Sequence, residues 1–167
     1  MFSLNPVDWF VNISPEWAVF FISMIPITEL RASIPIGIEV YKMAVWKVWL
    51  IAVVGDVIPA LFILAAIPYV HDWVVKQKFL GKILTKKLEE ADRKFSGKYF
   101  KYGAIALIVF VGIPLPFTGS WTGSLASFVF NIKFRRAAPL IFIGVCMAAT
   151  LVTIITLFAG GTIRAIF

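Results

Sequence analysis

Three charged residues stand in apolar surroundings where charge is expensive: Glu29, Arg31 and Asp56. Asp56 lies near the middle of the apolar run Ala44–Tyr69, which is otherwise interrupted only by Lys47. A carboxylate at the centre of a bilayer costs ~2.5–3.5 kcal/mol on insertion scales, so such an acid is a functional candidate by default. Two readings of Asp56 carry equal weight, a proton carrier and a structural partner for Arg31. Pro59, three residues on, has no N–H to donate and so leaves the Gly55 carbonyl beside Asp56 without its helical partner. Glu29 and Arg31 fall in the segment Ile25–Gly37, between Pro26 and Pro35. Residues two apart do not share a helix face, so this pair predicts an unwound turn. Arg31 is suited to an anionic headgroup, because guanidinium matches phosphate with two parallel hydrogen bonds. Glu29 is either a second titrating group or the ion-pair partner that neutralises the turn.

A second segment has no charge but many hydroxyls and small residues: Pro114, Pro116, Thr118, Gly119, Ser120, Thr122, Gly123, Ser124 and Ser127. The prolines stop a helix, and Thr118 or Ser120 can cap the next one. A helix N-terminus with hydroxyls nearby is suited to an anion; the same glycines equally suit close helix packing. Downstream, Lys133, Arg135 and Arg136 precede an uncharged run, Ala137–Ala159. Such bases anchor a helix at the interface, and Arg135 and Arg136 can also gather anionic headgroups. Enzyme chemistry is not expected. The one His, His71, and the one Cys, Cys146, build neither a metal cluster nor a nucleophilic triad, and no cofactor motif is present.

These residues need elements to hold them. The chain is 60% hydrophobic, against ~45–50% for soluble domains, with a mean hydropathy of +0.92. Its net charge of +7 is therefore read as membrane contact rather than nucleic-acid binding. Ala44–Tyr69 and Ala137–Ala159 each supply the ~20 residues of a spanning helix. Trp17–Thr28 and Gly103–Ile113 are too short to span and read as arms of re-entrant hairpins. The rival is one full span at 17–41 and another at 102–130. An offset of 88 residues pairs Pro26 with Pro114 and Lys47 with Arg135. The order repeats: short apolar segment, broken turn, apolar return, basic anchor, long span. One crossing per half makes the repeat inverted.

The segment 71–101 carries nine bases, and with Lys133, Arg135 and Arg136 it gathers twelve of the 16 Lys and Arg on one side. That side is cytoplasmic by the positive-inside rule. Within it Leu80, Leu84, Leu88, Ala91 and Phe95 recur at helical spacing, as in an amphipathic helix on the leaflet surface. Trp46, Trp49, Tyr69 and Trp73 fit interfacial belts. No base precedes Arg31, so no signal peptide is expected. The expectation is one all-α integral membrane domain over 1–167. Repeat 1 is 10–70, the linker helix 71–101 and repeat 2 102–167, and each repeat is a re-entrant helical hairpin plus a transmembrane helix.

Pro26-Ile-Thr-Glu-Leu-Arg-Ala-Ser-Ile-Pro-Ile-Gly37 and Gly112-Ile-Pro-Leu-Pro-Phe-Thr-Gly-Ser-Trp-Thr-Gly123 resemble the two signature segments of the prokaryotic "putative small multidrug export" membrane proteins. That resemblance implies a distant kinship to the DedA/VTT superfamily, whose members have inverted repeats with re-entrant hairpins and are implicated in proton-coupled recycling of undecaprenyl phosphate. By position, Glu29 and Asp56 match the acids of that superfamily, and Arg135 and Arg136 its arginines; its glycine-proline signature is replaced here. The leading expectation is a proton-coupled flippase of an anionic polyprenyl-phosphate-like lipid in the cytoplasmic membrane. Arg31, Thr118, Ser120 and Thr122 would hold phosphate, and Glu29 and Asp56 would exchange protons. Its partners would be lipids and protons, and a homo-oligomer is compatible with it. The alternatives are an exporter of cationic drugs and a non-transporting lipid-binding scaffold.

Overall fold

The computed structural model describes residues 13–75, 98–114, 119–129 and 132–166, and all regular structure among them is helical. Helix α1 spans Pro15–Met24, α2 Glu29–Pro35, α3 Val45–Val75, α4 Lys98–Gly112, α5 Ser120–Val129 and α6 Phe134–Ile166. A π-helical turn, Ile36–Val40, prolongs α2. Shifting the first half by 88 residues puts the end of α1, Met24, on the end of α4, Gly112, and Val45 one residue before the start of α6. Among the described residues the order short helix, break, short helix, long helix thus occurs twice.

The chain forms two compact units that each combine one helix pair with parts of both long helices. The first comprises residues up to Ile58 and from Val145 onward, the second Pro59–Gly144. In the first, α1 packs against α2 and the π turn. Pro15 begins α1, where a missing N–H is harmless. Pro26 ends it by forcing Ile25 into extended backbone, φ −75° and ψ 126°. The Thr28 hydroxyl then donates to the Ile22 carbonyl at 2.9 Å, satisfying one of the last acceptors of α1. Pro35 cannot donate to the carbonyl four residues back, and the ladder beyond it widens. Tyr41 N–H reaches the Ile36 carbonyl, five residues back, at 3.0 Å. Lys42, in the left-handed region at φ 52°, closes the turn before α3.

Small residues set the packing. A Cβ on Gly37 would lie 2.7 Å from a Val48 methyl, so the π turn sits directly on α3. A Cβ on Gly55 would strike the Ser23 hydroxyl and lie 2.7 Å from the Phe20 carbonyl, so α1 crosses α3 there. In the same unit the Trp49 indole N–H donates to the Thr150 hydroxyl at 3.3 Å, tying the start of α3 to α6. In the second unit α4 packs on α5, and Val111 fills the space a side chain on Gly123 or Gly144 would need. Close approach at small residues is how helices associate where lipid removes the hydrophobic drive.

The distribution of polarity is inverted relative to a water-soluble domain. Ser23, Glu29, Ser33, Asp56, Ser120, Ser124, Ser127, Thr153 and Thr156 are buried, while Phe62 and Phe158 are 74% and 75% exposed. Large exposed apolar side chains continue along α3 and α6 at Trp46, Leu50, Val54, Ile154 and Ile155. Val45–Ala66 and Phe134–Ala159 are long and apolar enough to cross a membrane.

The structure changes several expectations. The first break is only four residues, 25–28, and Glu29 and Arg31 belong to α2 rather than to an unwound tip. Their side chains still meet, with the guanidinium 3.8 Å from the carboxylate, and Glu29 itself takes a φ of 45°, outside helical geometry. Thr122, Ser124 and Ser127 lie inside α5, not in the second turn. The rival spans at 17–41 and 102–130 are both interrupted, at Ile25 and at Ile113. Helix α3 continues to Val75 and α4 begins at Lys98, so the ends of the 71–101 segment belong to neighbouring helices. The amphipathic pattern from Leu80 to Phe95 lies outside the described residues, as do Pro116 and Thr118.

Candidate functional site

The first unit holds the charged part of the site. Asp56 is 1% exposed, about three turns into α3, next to the Gly55 crossing. Glu29 is 5% exposed at the head of α2. The Arg31 guanidinium lies 3.8 Å from the Glu29 carboxylate, with 22% of its side chain exposed against 6% for Glu29. A non-glycine residue in the left-handed region is strained, and such strain persists only where packing imposes it. Here the residue in that conformation is an almost wholly enclosed carboxylate. Toward the start of α3 the charges are peripheral: Lys47 bonds Glu16 at 2.7 Å, and Lys42 pairs with Glu39 at 3.4 Å. The part-exposed Glu16 carboxyl is held below its ordinary value, chiefly by the Lys47 hydrogen bond.

Ser33 is the functional candidate that sequence reasoning passed over. It is fully buried, and its hydroxyl has no hydrogen-bond partner. Its signal was present in the sequence, since it stands four residues after Glu29 and therefore on the same helix face.

The second unit holds the neutral part, and its hydroxyls are already committed. Ser124 donates to the carbonyls of Ser120 (2.8 Å) and Ala60 (3.1 Å). Ser127 donates to the Ser124 carbonyl at 2.7 Å. The Gly119 N–H donates to the Thr122 hydroxyl at 2.9 Å, so the cap of α5 is a Gly119–Thr122 exchange rather than a cap by Ser120. Ser120 is the first helical residue and fully buried. The Trp121 indole N–H is enclosed without a partner. Pro114 follows α4 and ends it, as expected. Arg135 and Arg136 are exposed in the first turn of α6 beside exposed Lys133. The structure thus groups Glu29, Arg31 and Asp56 in one unit and Ser120, Thr122, Arg135 and Arg136 in the other.

The sequence from residue 29 to residue 151 matches the family described as "Putative small multi-drug export protein". The chain belongs to this family. The matched stretch begins at Glu29 and takes in Arg31, Ser33, Asp56, Ser120, Thr122, Arg135 and Arg136. Family membership, the two apolar helices and the inverted polarity together make this small multi-drug export family member a membrane protein. No curated protein and no solved structure matches it. No group of three metal-ligating side chains occurs among its described residues.

Proposed function

We propose that the protein is a secondary exporter of amphipathic cations, in which cargo and protons alternate on the buried carboxylates Asp56 and Glu29. One observation carries this reading. Among the described side chains of the first unit there are four carboxylates (Glu16, Glu29, Glu39, Asp56) and three bases (Arg31, Lys42, Lys47). Both deeply buried charges are acids. An interior with surplus negative charge attracts either a proton or a cation, and competition between the two is the simplest form of coupling. The commitment of the Ser124, Ser127 and Thr122 hydroxyls removes donors that an anion would need. The family description points the same way.

In this reading the broken pairs α1–α2 and α4–α5 are re-entrant, and the two halves form an inverted repeat in the inner membrane with 71–101 cytoplasmic. Support comes from the make-up of the units. One joins the first pair to the start of α3 and the end of α6; the other joins the second pair to the remainder of both. Exchanging the repeats converts one inventory into the other, as an inverted repeat requires. No catalytic chemistry is assigned.

The test is dye accumulation in everted vesicles energised by a pH gradient, with a quaternary ammonium dye as cargo. Asp56→Asn is expected to reduce accumulation at least tenfold at equal protein level, and Asp56→Glu to retain part of it. Full accumulation by Asp56→Asn refutes the reading. A second reading, a proton-coupled flippase for a polyprenyl-phosphate-like lipid, draws on the partly exposed Arg31 side chain and the exposed Lys133, Arg135 and Arg136. Phospholipid-carrier translocation in proteoliposomes that dye does not inhibit would favour it.

A further inference from the structure

We propose that the buried carboxylates of the first unit bind a sodium ion in competition with the proton, with the Ser33 hydroxyl as a neutral oxygen ligand. This rests on the reading of Glu29 and Asp56 as the coupling acids, and it names their second ion.

The placement follows from register. Gly37 lies against Val48, and the short connection between the π turn and α3 makes the two antiparallel. Buried positions then recur every four residues on each side: Glu29, Ser33 and Gly37 on one, Val48, Ala52 and Asp56 on the other. Stepping back from the Gly37–Val48 contact, ~6 Å per step, sets Ser33 opposite Ala52 and Glu29 opposite Asp56.

Ser33 breaks the habit of the other buried hydroxyls. Ser23, Ser124, Ser127, Thr153 and Thr156 all donate to a carbonyl three or four residues back in their own helix, at 2.7–2.8 Å. Ser33 does not, although it is as deeply buried. A buried polar atom without a partner is costly and calls for a ligand.

The chemistry of the set selects the ion. Two carboxylates and one guanidinium carry a net charge of −1, which a monovalent cation balances and a divalent one does not. All the candidate donors are hard oxygens, which suit alkali and alkaline-earth cations rather than transition metals. Pro35 and Pro59 also withhold an N–H from the carbonyls of Arg31 and Gly55, and backbone of that kind lines sodium sites in broken-helix transporters. A proton would need no ligand shell; a buried hydroxyl one turn from the carboxylates serves a metal ion.

The experiment uses the full chain in detergent, with NaCl compared to choline chloride and KCl at constant ionic strength. Sodium is expected to raise Tm in a saturable way, with an apparent Kd that weakens up to tenfold per unit of falling pH as protons compete. Ser33→Ala is expected to weaken that Kd about tenfold while leaving Tm in choline near the wild-type value. An equal response to Na+, K+ and choline, or a Kd independent of pH, overturns the proposal even if Ser33→Ala fails to fold. Dye transport driven by pH alone and indifferent to Na+ also overturns it while leaving the exporter reading intact; loss of the exporter reading is seen separately, as undiminished transport by Asp56→Asn.

Discussion

Gly55→Ala puts a methyl group where α1 crosses α3 and tests the geometry that holds Asp56. The new Cβ would collide with the Ser23 hydroxyl and lie 2.7 Å from the Phe20 carbonyl oxygen and 3.3 Å from its ring. The hydroxyl can rotate away, but the carbonyl belongs to the backbone of α1 and moves only with the helix. Helix propensity favours alanine by ~0.8–1 kcal/mol in an interior position. Overpacking of this kind typically costs about 1–3 kcal/mol. Contact with backbone places this site toward the upper end, for a net loss of about 2 kcal/mol. For a chain of this size that lowers Tm by roughly 4–8 °C. The readout is a thermal melt in detergent followed by tryptophan fluorescence, with Ala52→Gly as a control that adds no bulk. Transport should fall as well, since α1 and α3 separate next to Asp56. A Gly55→Ala protein as stable as the parent, or more stable, refutes the crossing and with it the enclosed setting of Asp56.

Ser124→Ala removes the hydroxyl shared between the Ala60 and Ser120 carbonyls and should cost about 1 kcal/mol in a thermal or denaturant melt. Thr122→Val deletes the acceptor for the Gly119 N–H and should cost about 1 kcal/mol as a lost cap, seen as earlier fraying of α5 by amide exchange. The Glu16 carboxyl is lowered by Lys47, so the contribution of that pair is present above the ordinary carboxylate value of 4.5 and fades as pH falls through the lowered one. Parent and Glu16→Gln should therefore differ slightly in Tm at neutral pH and low salt, and coincide in acid or at high salt.

Much of the frame was legible in the residues. The two spans follow from uninterrupted apolar length, because the ~30 Å hydrocarbon core dictates how many helical residues cross it. The breaks after α1 and α4 follow from Pro26 and Pro114, since proline restricts the residue before it and withholds a hydrogen bond. The order short helix, break, short helix, long helix, which occurs twice, was readable from the apolar segments despite little identity. The two-residue spacing of Glu29 and Arg31 pointed to an unwound turn, whereas both lie in α2, with Glu29 at a φ of 45° where the helix begins. The hydroxyl-rich segment needed tertiary structure for a different reason. Sequence counts donors, but only coordinates show that Ser124, Ser127 and Thr122 have already spent theirs on carbonyls.

By itself, then, the sequence determined that this chain lives in a membrane, where its helices break, and that Asp56 and Glu29 are acids in apolar company. Composition and periodicity are local properties, and solvent selects on them directly. Tertiary structure decided which polar groups are enclosed together and which are already satisfied. Contacts such as Gly37 on Val48 and Gly55 on Ser23 join residues far apart in the chain, and no local rule specifies them. The silent hydroxyl of Ser33 gains its meaning only there, where packing has closed around it and given it nothing in the protein to bond.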